Sequence, residues 1–235
     1  MKKSFYTAVL AVAVGFVFAV TLCVRAIFGA QAVSAVSDGG MRIVLDAGHG
    51  GMDGGVSGKT TGVKESDLNL SITLYLADVL TDMGFEVTLT RKTEAGLYGA
   101  ASKGFKRRDM EKRREIIRAA EPDLVVSIHQ NLYPSGNTRG AQVFHKKSDK
   151  NGERFASNVQ EKLNALYATE GVKARKYTAA EFFVLDCVSS PSILIECGFL
   201  SSAKDEALLI TELWQKRIAE NIAAGIAGYL GELSA

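Results

Sequence analysis

Three segments of this 235-residue chain end in side chains that can bind a metal or move a proton. His49 closes Asp46-Ala47-Gly48-His49 behind the β-rich run 42–45, His129 follows the apolar run Leu124–Ile128, and Glu196 follows Ile193-Leu194-Ile195. Two imidazoles, one carboxylate and an open fourth position form the usual catalytic zinc arrangement. Neutral imidazole and carboxylate both suit Zn²⁺. Two histidines cannot fill a tetrahedron, so the third ligand must come from an acid near the mouth. Asp46, Asp53, Glu65 and Asp67 compete for that place, and Glu65 stands at a loop-to-helix boundary from which a long side chain reaches back toward His49. No HExxH pair occurs, which excludes a site with both histidines on one helical turn.

Glu196 has a different task. A carboxyl group in a partly apolar setting has its pKa raised. That suits a general base that takes a proton from water and returns it to a leaving amine. A structural salt bridge is the competing reading for Glu196, and a hydrogen-bonded structural role is the competing reading for any single strand-end histidine. Three such positions converging argue against the structural reading.

Elements that could make them converge are legible in the hydrophobic pattern. The run 42–46 reads as a strand ended by glycines. Glu65 opens a helix with the apolar stripe Leu68, Ile72, Tyr75, Leu76, Val79, Leu80 and Met83, and Gly84 is its C-terminal stop. A second strand covers 86–90, a basic helix 104–120 and a buried strand 124–128. Residues 141–144 read as an edge strand, 152–168 as a helix, 182–186 and 192–196 as strands, and 203–230 as the last helix. Strand–helix repeats imply right-handed crossovers. The expected fold class is α/β, one domain with a mostly parallel twisted sheet and helices on both faces. In open sheets of this kind, sites lie beyond the carboxyl ends of the strands, where His49, His129 and Glu196 fall.

The N-terminus carries a targeting signal. Residues 4–24 hold no charge and are long enough to span a bilayer. Lys2 and Lys3 before them fit an N-in orientation with everything after Arg25 exported. A retained anchor and a cleaved signal peptide both fit, with cleavage sites at Ala30-Gln31-Ala32 or Val33-Ser34-Ala35. Leu22 before Cys23 is bulkier than a lipobox tolerates. The expected organisation is a signal or anchor over 1–35, a linker over 36–41 and a catalytic domain over 42–232, acting outside the cytoplasm. A domain of roughly 195 residues buries a sizeable core without disulfides. Setting aside Lys2, Lys3 and Arg25 leaves 25 basic against 26 acidic residues, so no strong field for nucleic acid exists. Cys187 and Cys197 flank a turn and a strand, where either a bridge or two buried thiols would fit an exported protein.

Four blocks carry a resemblance. Ile43–Gly51, Glu65 opening an apolar helix, Ser127–Asn131 and Leu194–Ser201 stand in the order seen in the zinc-dependent N-acetylmuramoyl-L-alanine amidases, which the chain resembles over about 42–230. The resemblance implies that His49, Glu65 and His129 are zinc ligands and Glu196 the catalytic glutamate. It implies a substrate as well: the amide between the lactyl group of N-acetylmuramic acid and the first L-alanine of the stem peptide on a peptidoglycan glycan strand. The short connection 132–140 has no inserted autoinhibitory helix, and no wall-binding repeats are present. This layout resembles the sporulation branch of the family, which strips peptides from cortex glycan so that muramic-δ-lactam forms before germination. Control would then fall to location, timing or an activating partner protein. The sequence departs from the family pattern at Gln130, Ser202 and Arg118, none of which is a proposed ligand. A zinc-stabilised, non-catalytic wall-binding or regulatory protein on the same fold is the alternative.

Other motifs read as decoys. Gly58-Lys59-Thr60 lacks the first glycine of a phosphate loop, since Asp53 stands there. Seven glycines between 48 and 62 instead let backbone pass close to metal and substrate. His145, beside Lys146 and Lys147, reads as a solvated surface histidine rather than the partner of a nucleophilic cysteine. Eight basic residues between Lys103 and Arg118, interleaved with acids, read as a solvated helix face, with contact to anionic wall polymers as the competing role.

Overall fold

The computed structural model describes residues 40–234. The expected membrane segment, its cleavage sites and most of the linker lie outside these residues. Among the described residues, no helix is long and apolar enough to cross a membrane.

Six strands form one sheet: β1 (Arg42–Ala47), β2 (Glu86–Leu89), β3 (Leu124–Asn131), β4 (Gln142–His145), β5 (Thr178–Ala179) and β6 (Ser192–Phe199), in the order β2-β1-β3-β6-β4-β5. All neighbours are parallel except β4 and β6. The helices are α1 (Glu65–Asp82), α2 (Phe105–Ala119), α3 (Lys150–Ala168), α4 (Ala203–Leu209) and α5 (Glu212–Leu233).

Successive strand side chains alternate between the two faces, and both faces are apolar. Ile43, Leu45, Val126, Ile193 and Ile195 join residues of α1, α3 and α5 in the larger core. Val44, Val125 and Leu194 pack with Ile117 of α2 and with Val184 and Leu185 in a smaller one. The α/β class and the two-faced cover thus agree with the sequence pattern.

Four local expectations need correction, and one open alternative is decided. Residues 183–186 are a 3₁₀ turn rather than a strand; a short apolar run does not distinguish the two, and Val184 and Leu185 are both buried by lying over the sheet face. The last helix is two helices, because Thr211 caps a new start by accepting from Trp214 N–H. Strand β4 is not the edge, since β5 pairs beyond it. That strand and Tyr177 cover His145, which is buried with Nδ1 against Lys146 O rather than solvated. Cys187 and Cys197 are free thiols in different cores, so the bridge is not formed.

Candidate active site

The carboxyl ends of β1 and β3 and the start of α1 meet at one point. His49, Glu65 and His129 each offer a ligand atom there, all within 4.8 Å of one another. Glu65 Oε1 lies 3.3 Å from His49 Nε2 and 3.0 Å from His129 Nδ1. The two imidazoles stand edge to face, 5.1 Å between centroids.

Backbone geometry explains why glycines surround them. His49 itself takes a left-handed φ of 61°, a conformation that costs a non-glycine residue energy and persists only where its surroundings impose it. A Cβ on Gly48 would overlap the His129 ring, and one on Gly55 would overlap the Glu65 carboxylate. These close approaches account for the glycine-rich loop.

A buried cation imposes the His49 conformation. Arg113 donates to Asp46 Oδ1 and to the carbonyls of Ala47 and His49, and its Nε donates to Asp109. Arg91 adds bonds to Ala47 O and Gly48 O. Asp46 also accepts from Ser127 and Thr90. Burial alone would raise the Asp46 carboxyl, but Arg113 and the two hydroxyls hold it down at about 2. Asp46 is therefore the counter-ion beneath the loop and not a candidate ligand. Arg113 and Asp109 are buried, so the basic helix is not the uniformly solvated face its composition suggests. The signal was the Asp109–Arg113 spacing of four residues, which puts the pair on one helical face.

Asp53 plays the other acidic part. Its Oδ2 lies 3.0 Å from His49 Nδ1, and its Oδ1 pairs with Lys106. Burial would lower the His49 pKa, yet the carboxylates of Glu65 and Asp53 raise it to about 8. Glu65, itself buried, is held well below the usual carboxylate range because His129 and His49 outweigh its desolvation. Asp67, the remaining candidate, is exposed and accepts from Ser66 Oγ.

Glu196 stands opposite His129 in the β3–β6 register. Its Oε2 is buried and has no hydrogen-bond partner among the described residues. Desolvation pushes its carboxyl up to about 7, with His129 acting in the opposite direction. The site thus pairs an anionic carboxylate between two imidazoles with a second carboxyl group that burial raises to about 7. The Gly58–Thr61 turn does hold an anion, but an internal one: Glu206 accepts from Thr60 N–H and from the N–H and hydroxyl of Thr61. That places the would-be phosphate loop in service of the fold.

Residues 43–228 match the model of the N-acetylmuramoyl-L-alanine amidase family. A germination-specific N-acetylmuramoyl-L-alanine amidase of Bacillus subtilis is 34% identical over 197 residues, covering 82% of this chain and 81% of that protein. The CwlD amidase of Clostridioides difficile, solved in complex with the GerS lipoprotein, superposes with a TM-score of 0.78 at 34% identity, covering 82% of this chain and 99% of that one. The catalytic domain of the amidase CwlV of Paenibacillus polymyxa superposes with a TM-score of 0.69 at 31% identity, over 81% and 98% of the respective chains.

Proposed function

The chain belongs to the N-acetylmuramoyl-L-alanine amidase family, and from that membership we propose that it holds Zn²⁺ through His49, Glu65 and His129 and uses Glu196 in catalysis. Its substrate is peptidoglycan, cut at the amide between the lactyl group of N-acetylmuramic acid and L-alanine. The observation that carries this reading is the approach of two imidazoles and one buried carboxylate to within 4.8 Å, with Glu196 in register beside His129.

The donor set fits zinc. It supplies two nitrogens and one oxygen, the composition of catalytic sites that leave a fourth position open. Asp53 against His49 Nδ1 leaves Nε2 facing Glu65, the outer carboxylate arrangement that fixes the tautomer of a ligating histidine. Zinc bound there would polarise the scissile carbonyl and acidify water.

The remaining chemistry belongs to Glu196. Its unpartnered Oε2 accepts a proton from the attacking water as the new carbon–oxygen bond forms. The same carboxyl group then delivers that proton to the departing L-alanine nitrogen as the carbon–nitrogen bond breaks. In the metal-free site burial raises this carboxyl, the direction that suits a group that must both accept and return a proton near neutral pH.

The biological setting we propose is spore cortex maturation, supported by the germination-specific relative. Residues 1–35 would direct the catalytic domain, 42–232, across the cytoplasmic membrane. A lipoprotein is bound to the Clostridioides difficile enzyme, which supports control by a partner protein here. Zinc analysis tests the ligand set: replacing His49 or His129 by Ala should remove metal and activity together, and full zinc content in His129→Ala would refute it.

A further inference from the structure

We infer that Asn69 and Gln130 are positioning residues that hold Glu65 and tie together the three chain segments bearing the proposed metal ligands. The inference rests on the reading of Glu65 as a ligand.

Asn69 lies one turn beyond Glu65 on α1, the spacing at which side chains share a helical face. It is fully buried, and Gln130 is 2% exposed. Asn69 Nδ2 lies 3.1 Å from Gly48 O and 3.3 Å from Glu65 Oε1. Both of those atoms only accept, so the amide nitrogen must face them and Asn69 Oδ1 must face away. Oδ1 then accepts from Gln130 Nε2 at 3.2 Å. The Asn69 amide is thus oriented by Glu65 and Gly48 O, and the Gln130 amide by Asn69 Oδ1.

The contacts reach each ligand-bearing segment. Gly48 precedes His49, Gln130 follows His129, and Glu65 is itself a proposed ligand. Gln130 also donates its backbone N–H to Glu65 Oε1 at 3.2 Å, while Val56 N–H donates to Oε2 at 2.9 Å. With Asn69, three protein donors fix the carboxylate independently of the imidazoles. Buried amides are normally hydrogen-bonded; Gln130 is buried with its Oε1 unpartnered among the described residues, a cost accepted where its Nε2 holds Asn69. Outer partners of this kind typically set metal affinity by 10–100-fold.

The test compares Gln130→Met and Asn69→Leu with wild type and with Glu65→Gln. Zinc affinity is measured by competition with a chromophoric chelator, and metal-free circular dichroism and melting report folding. Both shape-conserving variants should fold and bind zinc about 10–100-fold more weakly, with Gln130→Met the milder. Should Asn69→Leu fail to fold, Gln130→Met, which removes a single side-chain hydrogen bond to Asn69, decides the matter. A folded Gln130→Met protein with wild-type zinc affinity overturns the positioning role and leaves the ligand set standing. Wild-type zinc affinity in Glu65→Gln overturns the ligand reading itself.

Discussion

His129 and Glu196 are direct register partners on adjacent parallel strands, immediately before the β3–β6 pairing shifts at Asn131 and Phe199. Partners in register project their side chains on the same side of a sheet. A proposed metal ligand and a proposed proton carrier therefore share one face of the sheet, and the desolvation that traps a proton on Glu196 is a consequence of that placement.

This placement sets a pH dependence for the metal-free protein. The Glu196 carboxyl titrates at about 7 when folded, against an ordinary 4.5. The folded chain keeps a proton there that the unfolded chain has already released. Stability from this group is complete below about 4.5 and is lost as pH rises through 7. Glu196→Gln cannot ionise, so metal-free melts of variant and wild type should agree near pH 4.5. At pH 8 the variant should melt several degrees higher. Equal melting at both values would show that the ionised carboxylate is not desolvated.

Protons should compete with metal at His49. Its imidazole, raised to about 8, must be neutral to bind zinc. Zinc affinity should therefore weaken by about tenfold per pH unit below 8 from this group alone. Chelator competition between pH 6.5 and 8.5 measures it, and a flat profile would exclude His49 as a ligand.

The platform beneath the loop should behave as a buried ion pair. Asp46→Asn leaves Arg113 with Asp109 as its remaining counter-charge, so the loss should reach at most the about 3–5 kcal/mol of a fully broken buried pair. The double variant Asp46→Asn/Arg113→Met should recover part of that loss, because the two residues are coupled. Denaturant unfolding of metal-free protein checks this; additive losses in the double variant would show the pair is not coupled.

The cortex role predicts a chemical phenotype. A deletion strain should grow normally yet form spores whose cortex lacks muramic-δ-lactam and which germinate poorly. Chromatography of muramidase-digested cortex decides it, and normal lactam content would reject that role while leaving the amidase chemistry intact.

Much of this site was legible because strand ends carry its chemistry. His49, His129 and Glu196 each follow an apolar run, and Glu65 opens a clear amphipathic helix, so topology alone brings them to one end of the sheet. The register of His129 with Glu196 was not readable, since pairing offsets leave no mark in a single strand's pattern. Arg113 was hidden in a basic helix where seven neighbours of like charge suggest solvent, although Asp109 one turn earlier marked its face. Asn69 and Gln130 were equally hidden, because buried amides look like surface residues until their partners are known. The run 182–186 misled because apolar composition does not separate a strand from a short turn laid over a core.

In the proposed mechanism a zinc-bearing site hydrolyses the amide while Glu196 carries the proton. Purified peptidoglycan should be incubated with wild-type and Glu196→Gln protein, each assayed for zinc, and the products read by mass spectrometry. Wild type should release stem peptides beginning with a free L-alanine amine and leave glycan with intact lactyl groups. Glu196→Gln should keep about one zinc per chain while its rate falls by about 10²–10⁴-fold. Cleavage at another bond by wild type, or a loss of less than about tenfold in a zinc-loaded Glu196→Gln protein, far below the usual general acid–base contribution, would contradict the account.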